Sequence, residues 1–240
     1  MIGRGWRLAA VRPGLAAMRE VMQRDLRPLV FRLYDAEDSA LQGLPEGCLL
    51  VGAAAGPGPV AEAEARLLAE LVEAAGGEPL GDEPWAHWLA HRFDASADLL
   101  RDFLAPSGAY LDTIDLASTW TVLPDLYEEV KEHLRATAGL ALCHFSHSYA
   151  QGCCAYFTFA GSASDEAAAE TVYLEAWRGT MEIALGRGAT ITHHHGVGQA
   201  RAHWARRELG GWWKVWRLAR QSFDPHAKLN PNAMGGRDQR

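Results

Sequence analysis

The sequence predicts an α+β protein, an antiparallel sheet with helices on one face followed by C-terminal helices. Three observations support this class. Short apolar or alternating segments are interspersed with amphipathic helical segments, two adjacent strand-like segments are joined by a short turn, and the C-terminal part is almost wholly helical. The sequence has no glycine-rich phosphate-binding loop between a strand and a helix, which argues against a doubly wound fold.

The predicted strands are apolar or alternating segments bounded by turn residues. Segment 109–116 (AYLDTIDL) alternates apolar and polar residues, as a half-buried strand does. Segments 140–149 and 153–160 flank a short turn and form a predicted hairpin. We predict strands at 27–34, 47–55, 109–116, 140–149, 153–160 and, as a short segment, 189–192.

The predicted helices follow from apolar periodicity and from residues typical of helix ends. Pro13 lies near the start of the first helix, Gly76 and Gly77 end another as a C-cap, and Ser96 is a candidate N-cap before ADLLRDFL. We predict helices at 13–24, 60–75, 83–92, 96–104, 123–138, 165–187, 198–209 and 212–223.

Composition restricts the class of protein. The 240 residues are 48% apolar and 22% charged, which is ordinary for a globular protein, and the net charge of −7 argues against a nucleic-acid partner. The four cysteines, two of them adjacent, do not resemble a disulfide framework. No apolar run is long enough to span a membrane or to form a signal peptide. We therefore expect a cytoplasmic location.

The segment 192–198 (THHHGVG) is the strongest candidate for a functional site. On an extended segment, alternation would let two of the three imidazoles share a pocket while the middle ring points elsewhere. The glycines permit a tight turn or close approach to a ligand, and histidine is suited to moving protons near neutral pH. A metal site, with His144, His147, His203 and the cysteines as candidate further ligands, and a plain surface loop are the alternatives. Because the spacing matches no standard zinc pattern, we assign no metal.

Two further residues each have two interpretations that the pattern leaves open. Tyr156 lies within the strand-like segment CCAYFTF, where an aromatic is usually core; beside imidazoles, it would be a proton donor or acceptor. Arg101, on a predicted helix, is either a solvated or locally paired charge or a clamp for phosphate or carboxylate.

Five segments together resemble one family, the FAD-linked oxidases of the alkylglycerone-phosphate synthase type. They are LRDFL (100–104), YLDTIDLASTW (110–120), CHFSHSYAQGCCAYFTFAG (143–161), ITHHHGVG (191–198) and FDPHAKLNPN (223–232). The resemblance covers about 27–232 and is to the C-terminal half of the family. It implies a ferredoxin-like cap domain at 1–162 and a C-terminal helical segment at 163–240. That segment would carry the histidine run and pack on the cap and on an FAD-binding domain that is absent from this sequence.

The resemblance also implies a reaction. The acyl group of acyl-dihydroxyacetone phosphate would be exchanged for a fatty alcohol in ether lipid synthesis, with FAD held mainly by the absent domain. The implied residues are Tyr156, His193, His194 and His195 for proton transfer, Arg101 for the substrate phosphate, and His195, Gly196 and Asn230 for contact with FAD.

Other functions and partners stay open. One alternative is FAD-dependent oxidation of a D-2-hydroxyacid or alcohol; relatives of that type hold a metal with an E-H-G-x-G run, and here His194 replaces the carboxylate. Another is a non-catalytic fragment or partner-binding module that docks through the tryptophan-rich segment 204–216.

Expected partners are the flavin domain, within the assembly or as a separate polypeptide, and a small-molecule or lipid substrate. A homo-oligomer and a peripheral position at a membrane are further expectations.

Overall fold

The computed structural model describes residues 1–44, 46–94, 97–231 and 233–235. Within these residues, seven strands form one antiparallel sheet in the order β4-β1-β3-β2-β6-β7-β5, which confirms the α+β class. The strands are β1 (Ile2–Leu8), β2 (Val30–Tyr34), β3 (Cys48–Ala54), β4 (Glu78–Gly81), β5 (Ala109–Thr119), β6 (Leu140–Ser148) and β7 (Gly152–Ser162). The helices are α1 (Val11–Gln23), α2 (Ala36–Leu41), α3 (Gly58–Ala74), α4 (Glu83–His91), α5 (Ala97–Leu104), α6 (Leu123–Ala138), α7 (Glu166–Gly186), α8 (Ala202–Leu209) and α9 (Trp212–Phe223).

The main core lies between one face of the sheet and the helices α1, α3, α6 and α7. Alternate residues of the strands face this core, among them Leu33, Leu50, Phe145 and Phe157, all essentially buried. Burying apolar surface in this way is the principal source of folding free energy. The predicted layer of helices on a sheet is therefore present.

The opposite face of the sheet is also covered, which the sequence prediction of helices on one face did not anticipate. Leu49, Val51 and Ala53 of β3 point away from the main core and pack with Trp85 of α4 in a second, smaller core. Towards the other edge of the sheet this face is covered by the histidine run that follows α7. The candidate site thus shares a face with α4.

Strand β1 was missed because its glycines weaken the strand signal. A Cβ on Gly3 would lie 2.2 Å from Trp85, and one on Gly5 would lie 2.6 Å from Pro84. Glycine is therefore required where α4 contacts the strand. The short elements β4 and α2 were also missed.

Several predicted boundaries are corrected. The strand predicted at 27–34 begins at Val30, and the helix predicted at 198–209 begins at Ala202 after a turn. The segment 189–192 forms only one isolated bridge, between Thr190 and Ala117, because the chain bends directly afterwards. The candidate N-cap Ser96 lies outside the described residues.

The C-terminal helices extend from the sheet. Helix α7 packs on α6 and β5 and contributes Trp177 and Met181 to the main core. Helices α8 and α9 follow, and Met234 N donates to Gly198 O at 2.8 Å, which ties the chain end to the histidine loop. The division into 1–162 and 163–240 stays a prediction. Among the described residues, no helix is both long and apolar enough to cross a bilayer.

Candidate active site

One row of polar side chains runs across the sheet on the face away from the main core. Asp115 of β5, Tyr156 of β7 and His144 of β6 are register partners, and Tyr34 of β2 continues the row. Side chains paired across neighbouring strands share a face. The ring of His144 stacks on that of Tyr156, with centroids 4.7 Å apart. Tyr156 is therefore not a residue of the main core.

A bulge in β6 brings His147 to the same row. The register shifts between Ser146 and Ser148, so His147 is an extra residue, and its φ of +54° is uncommon for a residue with a Cβ. Its Nδ1 lies 2.8 Å from the Tyr156 hydroxyl. The bulge thus aims an imidazole at the phenol.

The histidine run is attached to β5 through Asp115. After the Thr190 bridge, the backbone N–H of His193 donates to Asp115 Oδ2 at 2.7 Å, and Thr192 Oγ1 donates to the same oxygen at 3.2 Å. These bonds hold the bent backbone over the row of polar side chains.

The middle histidine lies at the centre of the cluster, and the expectation that it points elsewhere is wrong. His194 Nδ1 is 2.9 Å from His193 Nδ1 and 3.4 Å from the Tyr156 hydroxyl. Its ring centroid is 4.1 Å from that of His195 and 4.7 Å from that of His147. Alternation does not apply because the run bends at each histidine instead of extending.

Asp115 is fully buried and surrounded by donors. Its Oδ1 accepts from His195 Nδ1 at 2.9 Å and from Arg201 Nη2 at 2.7 Å. Burial alone would raise the pKa of Asp115, but the hydrogen bonds from His193 and His195 and the charge of Arg201 lower it below the usual range. The carboxylate is therefore ionised throughout the neutral range.

The groups around the phenol are neutral near pH 7. Burial, and then the neighbouring imidazoles, lower the pKa of His147 and of His194. Burial, and then the neighbouring Cys154 thiol, raise the pKa of Tyr156 above its usual range. Tyr156 therefore carries its proton and has two neutral imidazoles within reach, which is an arrangement suited to proton transfer.

His144 is held in one tautomer beneath Tyr156. Its Nε2 lies 2.7 Å from Arg32 Nη2, and since a guanidinium only donates, Nε2 accepts and the hydrogen is on Nδ1. That nitrogen faces Asp38 Oδ2 at 3.5 Å. Burial is the main cause that lowers the pKa of His144.

A cavity of about 460 Å³ opens beside the cluster. Arg32 and His147 form part of its polar end, and Met22, Leu29 and Trp88 line its apolar side. This volume is within the range of small-molecule sites.

The other site residues implied by the family resemblance lie on different elements. Arg101 is on α5, with its side chain 69% exposed and Nη2 3.5 Å from Asp102 Oδ1. Asn230 is exposed in the loop after α9, where its carbonyl accepts from Arg220. Gly196 follows the histidines at a φ of +76° and is exposed. The structure thus joins Tyr156 to the histidine run, whereas the roles of these three residues stay predictions.

Sequence reasoning missed Asp115 and Arg201, and it considered His144 and His147 only as candidate metal ligands. Alternation in AYLDTIDL would place Asp115 on an exposed face, but Asp115 is fully buried because the histidine run covers it. The signal that could have identified Asp115 is a charged residue between Ile114 and Leu116.

This geometry, a phenol beside neutral imidazoles on an α+β domain, is suited to proton transfer. Residues 5–234 match the family of FAD-linked oxidases, C-terminal domain, and the chain belongs to this family. Its cofactor class, as expected from the sequence, is FAD.

Curated relatives and solved structures agree with this assignment. Alkyldihydroxyacetonephosphate synthase of Dictyostelium discoideum is 24% identical over 92% of this chain and 41% of its own length. The uncharacterized FAD-linked oxidoreductase YgcU of Escherichia coli (strain K12) is 27% identical over 94% of this chain and 50% of its own. The chain thus spans half or less of these relatives.

The solved structures show the same fold. A structure of alkyldihydroxyacetonephosphate synthase superposes with a TM-score of 0.69 at 19% identity, covering 95% of this chain and 43% of that one. The 4-ethylphenol oxidase from Gulosibacter chungangensis gives 0.69 at 12% identity, covering 99% and 54%.

The exposed edge of the histidine cluster fits a flavin. His195 is half exposed, and among the described residues no atom beyond the two chain neighbours of Gly196 lies within 4 Å of the position that a Cβ on Gly196 would occupy. This edge leaves room for a flat ring system beside the imidazole nitrogens.

Proposed function

We propose that this chain is the substrate-side part of an FAD-dependent enzyme of the alkyldihydroxyacetonephosphate synthase type. The enzyme would exchange the acyl group of acyl-dihydroxyacetone phosphate for a fatty alcohol, with a separate FAD-binding domain completing the site. When bound, FAD supplies the redox-active flavin ring, next to which the carbon–oxygen bonds would be broken and formed. This choice of reaction is supported by the relatives named alkyldihydroxyacetonephosphate synthase and by the geometry of the site.

The observation that carries the proposal is the neutral Tyr156 phenol between His147 Nδ1 and His194 Nδ1. Exchange releases a fatty acid and takes up an alcohol whose hydroxyl proton must be removed. A phenol beside imidazoles can donate and accept protons in such steps. The cavity beside His147, with polar and apolar walls, suits a small-molecule or lipid substrate with both characters.

The partner we propose is the FAD-binding domain, and the docking surface is the apolar stripe of α9. Trp212, Val215, Leu218 and Phe223 share one side of this helix, and they are 71%, 52%, 67% and 87% exposed. An apolar stripe of this kind is typical of an interaction site. The same stripe would support self-association when the domain is lacking.

The proposal is tested by reconstitution. The purified chain is mixed with an FAD-binding domain of the family and separated by gel filtration, and bound FAD is read from visible absorbance. The complex then receives acyl-dihydroxyacetone phosphate and a fatty alcohol, and release of fatty acid and formation of the ether product are measured. A flavin-loaded complex that forms no ether from these substrates would overturn the proposed reaction.

A second candidate is oxidation of a D-2-hydroxyacid or another alcohol. It is favoured by the fold shared with 4-ethylphenol oxidase and by the FAD-linked oxidoreductase YgcU among the relatives. Oxidation removes two electrons and two protons from the alcohol, so anaerobic substrate would bleach the flavin absorbance. After the exchange reaction, the flavin is in the same oxidation state as before it. Absorbance after anaerobic mixing therefore separates the two.

A third candidate is a non-catalytic module that binds its partner through the tryptophan-rich segment 204–216, of whose tryptophans only Trp212 is largely exposed. It predicts a stable complex in which substitutions at Tyr156 change neither binding nor any reaction.

A further inference from the structure

The buried carboxylate of Asp115 accepts about as many hydrogen bonds as its two oxygens can take. Its two oxygens accept from one backbone N–H, one hydroxyl, one imidazole and one guanidinium, all within 3.2 Å. Of these donors, only the imidazole of His195 has a second nitrogen that can take up a proton.

We propose that Asp115, supported by Arg201, commits His195 to the tautomer with its hydrogen on Nδ1, so that His195 Nε2 is the proton acceptor of the site. The catalytic consequence rests on the proposed function. The tautomer is a property of this chain alone. Asp115 is then a positioning residue that acts through His195.

The tautomer follows from the charges. An ionised carboxylate only accepts, so a nitrogen 2.9 Å from Asp115 Oδ1 must donate. Arg201 stays positive, is only 7% exposed and lies over the Trp177 ring at 5.1 Å, which keeps its guanidinium against the carboxylate. A buried charge pair of this kind favours the ionised carboxylate.

The geometry separates His195 from the other histidines. His147 and His194 meet the Tyr156 hydroxyl through Nδ1, whereas His195 turns Nδ1 inward to Asp115. Its side chain is 49% exposed, and Nε2 is at the far side of the ring from the carboxylate. The ring lies edge-on to Tyr156 with centroids 6.1 Å apart. Tyr156 and His195 thus provide a proton donor and a proton acceptor next to each other.

The proton balance is simple. The hydroxyl proton of the incoming alcohol passes to His195 Nε2, and the electron pair of the broken O–H bond stays on the alcohol oxygen. The resulting imidazolium is stabilised by Asp115, since a carboxylate at Nδ1 favours the charged ring. The proton later returns to solvent or to a leaving oxygen.

The test is the tautomer of His195, read by two-bond ¹H–¹⁵N correlation NMR of the isolated chain labelled with ¹⁵N-histidine. The His195 signals are assigned with His195→Gln. In the wild-type chain at pH 8 we expect a protonated Nδ1 and a bare Nε2. In Asp115→Asn we expect a shift towards the Nε2–H form, which predominates in free imidazole side chains.

Asp112→Asn is the matched control. Asp112 is on the same strand but the other face of the sheet, where it accepts from Tyr173 at 2.5 Å and Trp177 at 3.0 Å. This variant should leave the His195 signals unchanged. In the reconstituted enzyme Asp115→Asn should lower kcat on the order of 10²-fold or more, with KM changed less.

A neutral His195 ring with its hydrogen on Nε2 in the wild-type chain would overturn the proposal, and this result does not depend on the folding of Asp115→Asn. So would an unchanged tautomer in a folded Asp115→Asn. The two claims can fail separately. If the chain shows the expected tautomer but no exchange activity with its flavin domain, the proposed function is wrong and the tautomer assignment still holds.

Discussion

The Tyr156 hydroxyl lies 2.8 Å from Nδ1 of His147, and this contact exists because a bulge holds the His147 backbone at a φ of +54°. Without the extra residue, position 147 would follow the regular alternation of β6. A strained residue that positions a functional group is typical of active sites. The relationship therefore links backbone geometry to the chemistry proposed for Tyr156.

Replacing Tyr156 by phenylalanine should abolish turnover while the fold remains. The hydroxyl is lost but the ring stays, so the free energy of unfolding should change by about 1 kcal/mol or less. Turnover in the reconstituted enzyme should fall by about 10²-fold or more. Tyr173→Phe is the control, because it removes a hydroxyl bonded to Asp112 instead. Equal activity of the two variants would contradict the role given to Tyr156.

The strain at His147 can be measured directly. Both His147→Gly and His147→Ala remove the imidazole, but only glycine adopts the left-handed conformation without steric cost. We expect the glycine variant to be more stable than the alanine variant by about 1 kcal/mol in urea unfolding. Both should lose turnover. A more stable alanine variant would mean that the bulge relaxes when the histidine is removed.

The histidines should make the chain less stable in mild acid. The pKa values of His144, His147 and His194 are lowered in the folded state, so the unfolded chain binds more protons once the pH falls below the ordinary histidine value of about 6.5. The free energy of unfolding should therefore fall from pH 7 to pH 5. His144→Gln should make this slope shallower. Urea midpoints at several pH values, at constant ionic strength, provide the measurement. A free energy of unfolding of the wild-type chain that is constant over this pH range would contradict the lowered pKa values of the histidines.

The apolar stripe of α9 should carry much of the affinity for the flavin domain. Trp212→Ala should weaken binding by about 30-fold, corresponding to roughly 2 kcal/mol for a buried interface tryptophan, and Leu218→Ala by less. Arg217→Ala is the control, because Arg217 lies on the side of the same helix that faces away from the stripe. Fluorescence titration or calorimetry measures the dissociation constants. Unchanged affinity in all three variants would mean that α9 does not form the interface.

Local sequence patterns predicted most elements, but not those shaped by contacts with distant segments. Helix 123–138 was predicted with the bounds of α6, since periodicity and the terminal Gly139 are local signals. Strand β1 was not predicted. Its residues Gly3 and Gly5 are required by the contacts with Trp85 and Pro84, which are distant in the sequence. The motif THHHGVG drew attention to the site, yet its expected alternation was wrong because Asp115 holds it in a bent conformation.

The sequence by itself determined the family, the α+β class, the cofactor class and the two segments, around Tyr156 and His194, that meet at the site. Those depend on residue identity and spacing along the chain. Only the tertiary structure decided that His194 lies at the centre of the histidine cluster and that a bulge brings His147 to it. It also decided that Asp115 and Arg201 lie beneath the histidine run. The reason is physical: strand register and the covering of a second sheet face bring together residues 38 to 86 positions apart, Tyr156 with His194 and Asp115 with Arg201. Contacts over such distances are made by folding and leave no pattern in the local sequence.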